Sequence, residues 1–256
     1  MKIFSQQLTL MASIVFIHGG SHGAWCWKDC ATTLCQAGHD VHAIDLPGHG
    51  ENLTPRDQVT VDLQGQAIHA ALKGCRGGTI MLVGHSLAGV AIARALEDLD
   101  IVIEHLVLVA AIVLEVGETA IDHIPESRRP SYFELAEASQ DQSFRLSFEK
   151  ARQLFFNDLD DKAAKYYYEK LTPQALAIYL DKAKFCLRDL RCMKHYFACS
   201  NDNALGFESN LFFGKRLNGS MRVLDSGHDV MISNPKLLCD ELLEILKGSD
   251  SHSVMD

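Results

Sequence analysis

The sequence contains no C-x-x-C pair, although it has eight cysteines in 256 residues. Cysteines this sparse, several of them inside apolar runs, are expected to be reduced, buried thiols of a cytoplasmic protein rather than a disulfide framework. Cys26 and Cys30 are followed by no second pair at ligand spacing, so no metal is expected. No cluster of lysine or arginine offsets the formal net charge of -9, which argues against a surface that tracks nucleic-acid phosphates. A bilayer span would need a run of about 18 apolar residues, and none is present. The stretch before Ser13 shows no small-residue cleavage site of a signal peptide; it reads as an extension in which Met11 is an alternative start. Internal repeats, low-complexity linkers and the G-x-x-x-x-G-K-[ST] phosphate loop are also missing.

What is present is 47% hydrophobic residues, enough for one sizeable core with a small cap. Ser13 to Ile17 is a fully apolar strand that runs into the glycine-rich loop His18-Gly19-Gly20-Ser21-His22-Gly23. A helix is expected from Ala24 to Gln36, packed down by Trp25 and Trp27 and closed by Gly38. Strand Asp40 to Ile44 leads to the turn Asp45-Leu46-Pro47-Gly48-His49-Gly50. Helix Val61 to Lys73, strand Thr79 to Val83, helix Leu87 to Leu99 and strand His105 to Ala111 then follow. Strand and helix in alternation predict a mostly parallel, doubly wound α/β sheet of about six strands. From 112 to 191 strand signals disappear, and helix formers and aromatic residues dominate. That segment is expected to be a helical cap inserted before the last two strands, Met193 to Cys199 and Met221 to Leu224. The chain divides into an extension at 1–12, a core at 13–111 and 192–248 that closes with helix Pro235 to Lys247, the cap at 112–191 and a polar tail at 249–256.

Three polar residues fall after core strands: Ser86, Asp202 and His228. Ser86 sits between a strand and a helix, with the small residues Gly84 and Ala88 two positions to either side, as a strained nucleophile turn requires. Taken alone, that serine could equally cap a helix. Asp202, within Asn201-Asp202-Asn203, could equally shape a turn, and Asp225 is a rival acid only three residues before His228. Together they suit a serine hydroxyl activated by an imidazole that a carboxylate orients, in the chain order of the α/β-hydrolases. The oxyanion would then be held by the backbone N–H groups of Gly20 and Leu87. His18, His22, His49 and His85 read as residues that shape loops and form hydrogen bonds.

The segments Phe16 to Trp27, Asp45 to Gly50, Val83 to Leu87 and Asp225 to His228 resemble the plant methylesterase and hydroxynitrile lyase branch of the α/β-hydrolases, with its bacterial esterase relatives. Leu154-Phe155-Phe156-Asn157-Asp158, within the cap, resembles it too. The resemblance implies an α/β-hydrolase fold and cleavage of a small carboxylic ester through an acyl-enzyme, with no cofactor. The hydroxynitrile lyases carry threonine at Gly19 and lysine at Asp229, so ester hydrolysis is expected over cyanohydrin cleavage, because an aspartate there would repel a leaving anion. A lyase on the same scaffold and a small-ligand receptor with little turnover are the alternatives. His18, Gly19, Tyr132, Phe133 and Phe155 are the expected substrate contacts. The expected partner is a small-molecule ester, with a homodimer open and neither nucleic acid nor membrane involved.

Overall fold

A computed structural model of the chain describes residues 11–76, 78–97 and 100–250. Residues 1–10 of the expected extension, the end of the helix expected at 87–99 and the tail from 251 lie outside that range. The strands are β1 (Ser13–Ile17), β2 (Asp40–Ile44), β3 (Ile80–His85), β4 (His105–Val109), β5 (Ser143–Phe144), β6 (Gln174–Ala175), β7 (Met193–Cys199) and β8 (Ser220–Leu224). Six of them form one parallel sheet in the order β2-β1-β3-β4-β7-β8. The α-helices are α1 (Lys28–Gln36), α2 (Val61–Lys73), α3 (Ala88–Leu96), α4 (Arg129–Glu137), α5 (Phe148–Leu154), α6 (Asp161–Lys170), α7 (Ala177–Leu180), α8 (Phe207–Leu217), α9 (Val230–Ser233) and α10 (Pro235–Asp250).

The central strands read as unbroken apolar runs because both faces of the sheet are covered. Ile14, Phe16, Met81, Val83, Val107 and Val109 point into one core, with Cys30 and Leu34 of α1 and Leu238 and Leu242 of α10. Their neighbours Val15, Ile17, Leu82, Leu106 and Leu108 point into the other, with Ile68 of α2, Ile92 of α3 and Phe213 of α8. This is the two-residue alternation of a strand, with a helix layer on either side.

Several elements depart from the sequence reading. The helix expected from Ala24 begins as a tight 3-10 turn, Ala24–Trp27, before α1. There Ala24 N is held by Asp45 Oδ1 at 2.6 Å, and the Trp27 ring stacks on Phe16 at 4.5 Å. The strand expected to reach Ala111 stops at Val109, because Ala110 adopts φ 43 and turns the chain. The cap, between β4 and β7, holds α4 to α7 and also the antiparallel pair β5 and β6, two residues each. Strands that short carry no periodicity to read. All eight cysteines are free thiols. Among the described residues, no helix is long and apolar enough to cross a membrane.

Gly89 marks the closest approach of α3 to the chain leaving β4: a Cβ there would lie 1.9 Å from the Ile112 carbonyl oxygen. The obstacle is backbone and cannot rotate away. Gly89→Ala should therefore lower unfolding free energy by about 1–3 kcal/mol, measured by urea denaturation.

Candidate active site

Ser86 leaves β3 at φ 54, a left-handed conformation that a non-glycine residue holds only when its surroundings enforce it. Its N–H donates to Val109 O at 3.1 Å, and its carbonyl accepts from Ile112 N at 3.0 Å, so the bend after β4 grips it on both sides. Gly84 cannot be larger, since a Cβ there would stand 2.2 Å from Ile92 Cδ1 and 3.4 Å from the Ala88 methyl. The turn tolerates the methyl group at position 88 for the same reason.

The three residues singled out in the sequence meet at this point. His228 Nε2 lies 3.0 Å from Ser86 Oγ, across 142 positions of chain. Its Nδ1 stands 3.0 Å from Asp202 Oδ2, with the ring N–H bent off the straight line to that oxygen. Asp202 is buried, and its Oδ1 accepts from the N–H groups of Ala204 at 2.7 Å and Leu205 at 3.0 Å. Its Oδ2 also accepts from Asn210 Nδ2 at 2.8 Å. Burial pushes this carboxyl up, but the His228 ring, the Asn210 amide and the Leu205 N–H outweigh it and bring its pKa down to about 2. The rival Asp225 is exposed and bonds Asn201 Nδ2 at 2.9 Å. Asn210 went unnoticed in the sequence; a polar residue on the buried side of an amphipathic helix was its only signal.

Gly20 and Leu87 lie side by side: a Cβ on Gly20 would be 3.1 Å from Leu87 Cδ2. Among the described residues neither backbone N–H has a hydrogen-bond partner. His18 Nδ1 donates to Gly19 O at 2.8 Å while its Nε2 accepts from Leu46 N at 3.0 Å. The ring thereby draws on the Gly19 carbonyl of the very peptide whose N–H belongs to Gly20. Burial lowers His18 to about 4 and His85 to about 3, and it also lowers His49, so these rings are neutral structural donors.

Two stretches between β4 and β7 reach into the centre. The Phe155 ring stacks on His228 at 5.8 Å, Asn157 Nδ2 donates to Asn201 O at 2.9 Å, and Asp158 Oδ2 accepts from Gly227 N at 2.7 Å. Gln174 Oε1 accepts from Ser21 N at 3.1 Å. Tyr132 is buried, stacked on Phe144 at 4.4 Å and edge-on to Tyr179. Phe133, expected to contact substrate, is 43% exposed. Successive residues of a helix point about 100° apart, so with Tyr132 turned inward its neighbour faces solvent. His18 and Gly19 line a small cavity with Gly20, Leu46, Leu87 and Gln174.

Asp229 also departs from expectation. Its carboxylate turns inward and meets His22 Nε2 at 2.8 Å, so it has a counterpart and does not stand as a free charge toward substrate. His85, His228 and Asp229 place ligand-type atoms within 4.8 Å of one another, but each is already engaged: His228 by Ser86, His85 by the His228 carbonyl, and Asp229 by His22.

The model of the alpha/beta hydrolase family matches residues 14–241. The chain belongs to the alpha/beta hydrolase family. It is 28% identical over 91% of its length, and 96% of the other protein's, to methyl jasmonate esterase 1 of Vitis vinifera. With the pheophorbidase of Raphanus sativus the identity is 37%, over 43% of this chain and 42% of that one. Among solved structures, an extracellular alpha/beta-hydrolase from a Paenibacillus species superposes with a TM-score of 0.83, at 22% identity over 91% of this chain and 98% of that one.

The pKa of Asp202 lies below its unfolded value near 3.8, so its stabilising effect is complete above about pH 4 and disappears as the pH falls to about 2. Acidification from pH 5 to pH 2 should therefore cost the wild type about 2 kcal/mol more than Asp202→Asn, followed by chemical denaturation at each pH.

Proposed function

We propose that the protein is a serine hydrolase of small carboxylic esters. The single observation that carries this reading is the line from Asp202 through His228 to Ser86, with contacts of 3.0 Å and 3.0 Å, ending on a serine in a left-handed turn. Ser86 Oγ attacks the acyl carbon as His228 Nε2 takes its proton. Asp202 orients the ring and stabilises the imidazolium, and the N–H groups of Gly20 and Leu87 receive the negative charge that develops on the carbonyl oxygen. His228 then returns its proton to the departing alcohol, and water activated by the same ring releases the acid from Ser86.

Esterases and methylesterases among the full-length relatives support this class of reaction. The aromatic cap residues Tyr132, Phe144, Phe155 and Tyr179 support an acyl group with an apolar body. Free thiols throughout support a reducing, cytoplasmic setting.

Ser86→Ala should leave the fold intact and reduce kcat for a chromogenic short-chain ester by about 10⁴-fold or more. Turnover that survives the substitution rejects the mechanism. Release of cyanide from a cyanohydrin without ester turnover would instead identify a lyase, and saturable binding with neither would identify a receptor. Phe155→Ala should raise KM for esters with a bulky apolar acyl group about ten-fold while changing acetate esters less, as compared in an ester panel.

A further inference from the structure

The His22 ring lies between two acceptors. Its Nδ1 is 2.8 Å from Gly20 O, and its Nε2 is 2.8 Å from Asp229 Oδ2. A backbone carbonyl only accepts, so Nδ1 must donate to Gly20. The contact at Nε2 then requires one further proton, held either by the ring or by the carboxyl group. Burial pushes the Asp229 carboxyl up, but the surrounding His22, His85 and His228 rings outweigh it and hold the group below its ordinary range. His22 Nε2 and the carboxylate therefore form a hydrogen bond between two side chains each 1% exposed.

A buried contact of this kind adds little to stability, because taking the carboxylate out of water offsets the attraction. Its position is more informative. Asp229 directly follows the base His228, and His22 lies two residues beyond Gly20. A third tie joins them: His85 Nε2 donates to the His228 carbonyl at 3.0 Å and stands 3.6 Å from Asp229 Oδ1.

We propose that His22 and Asp229 are positioning residues, a buried hydrogen-bonded pair that locks the loop carrying the base to the loop carrying the oxyanion donor and keeps the negative charge of the Asp229 carboxylate beside His228. That charge stabilises the imidazolium formed when Ser86 gives up its proton. The role in turnover rests on the hydrolase reading, whereas the hydrogen bond between the two residues does not.

Several groups face the two partners from every side. His228 is met by Asp202 from the loop after β7, by Asp229, by Arg128 at the start of α4, by Ser86 and His85 from the end of β3, and by Phe155 from the cap. Asp229 is met by His22, His85 and His228, with the thiols of Cys26 and Cys199 nearby. Burial lowers His228 and Arg128 lowers it further, but Asp202 and then Asp229 more than offset them, leaving the ring above its ordinary value.

The test is the pH dependence of kcat/KM for a chromogenic ester in wild type and Asp229→Asn. The asparagine amide can donate to a neutral His22 Nε2, which keeps the contact and removes the charge. Because catalysis needs neutral His228, the acidic limb should move to lower pH by about one unit. kcat should fall about ten-fold with KM within about two-fold. A folded Asp229→Asn enzyme with an unmoved limb overturns the proposal. A wild type that turns over no ester rejects the hydrolase reading instead. In that case, or if the variant does not fold, ¹⁵N-histidine spectra of the wild type decide, with the His22 signal identified by its loss in His22→Asn. A ring proton on His22 Nε2 hydrogen-bonded to Asp229 is expected, and its absence overturns the pair.

Discussion

One strained residue organises the centre of this molecule. Ser86 is held at φ 54 where β3 meets α3, and the structure meets that constraint with hydrogen bonds from the serine N–H to Val109 O and from Ile112 N to the serine carbonyl. The demand spreads outward. Gly84 and Gly89 have no room for a larger side chain, and Ala110 takes up its own left-handed turn to end β4 in register with the serine. What results is a hydroxyl projected from a rigid corner at the carboxyl edge of a parallel sheet, where such folds present their ligands.

The loops around that corner are tied together by polar contacts rather than by apolar packing. Asp202 is fastened by Ala204, Leu205 and Asn210, so its position does not depend on His228. The segment at Phe155 to Asp158 reaches both the loop that carries Asp202 and the loop that carries His228, through Asn201 and Gly227. Beneath them, His18 and His22 brace the glycine-rich loop through its own Gly19 and Gly20 carbonyls, and His85 holds the His228 carbonyl. A low-dielectric interior makes each of these contacts directional, and it makes an unpaired member destabilising, so the network either assembles as a whole or is disrupted.

Much of the architecture was legible in the chain because it has local causes. Apolar runs mark β1, β3 and β4, with glycines bounding the run of β3, and helix periodicity marks α2 and α10. Ser86, Asp202 and His228 were legible because each follows a core strand. What escaped was non-local. Asn210 has no motif, β5 and β6 are too short to show a period, and Phe133 faces solvent because helix α4 is rotated to bury Tyr132. Asp229 was misjudged as a charge facing substrate for the same reason, since nothing beside it in the chain announces His22 more than 200 positions away.

The sequence by itself determined the class of fold, the chemistry available at three strand ends and the small residues that permit a strained turn, because backbone sterics and side-chain period act over a few neighbours. Only the tertiary structure decided which aspartate meets His228, which histidines are buried against carbonyl groups, and how the segment between β4 and β7 grips the loops beneath it. Those outcomes depend on burial and on partners brought close by the folded sheet, where a shift of an ångström or two separates an ion pair from an isolated charge.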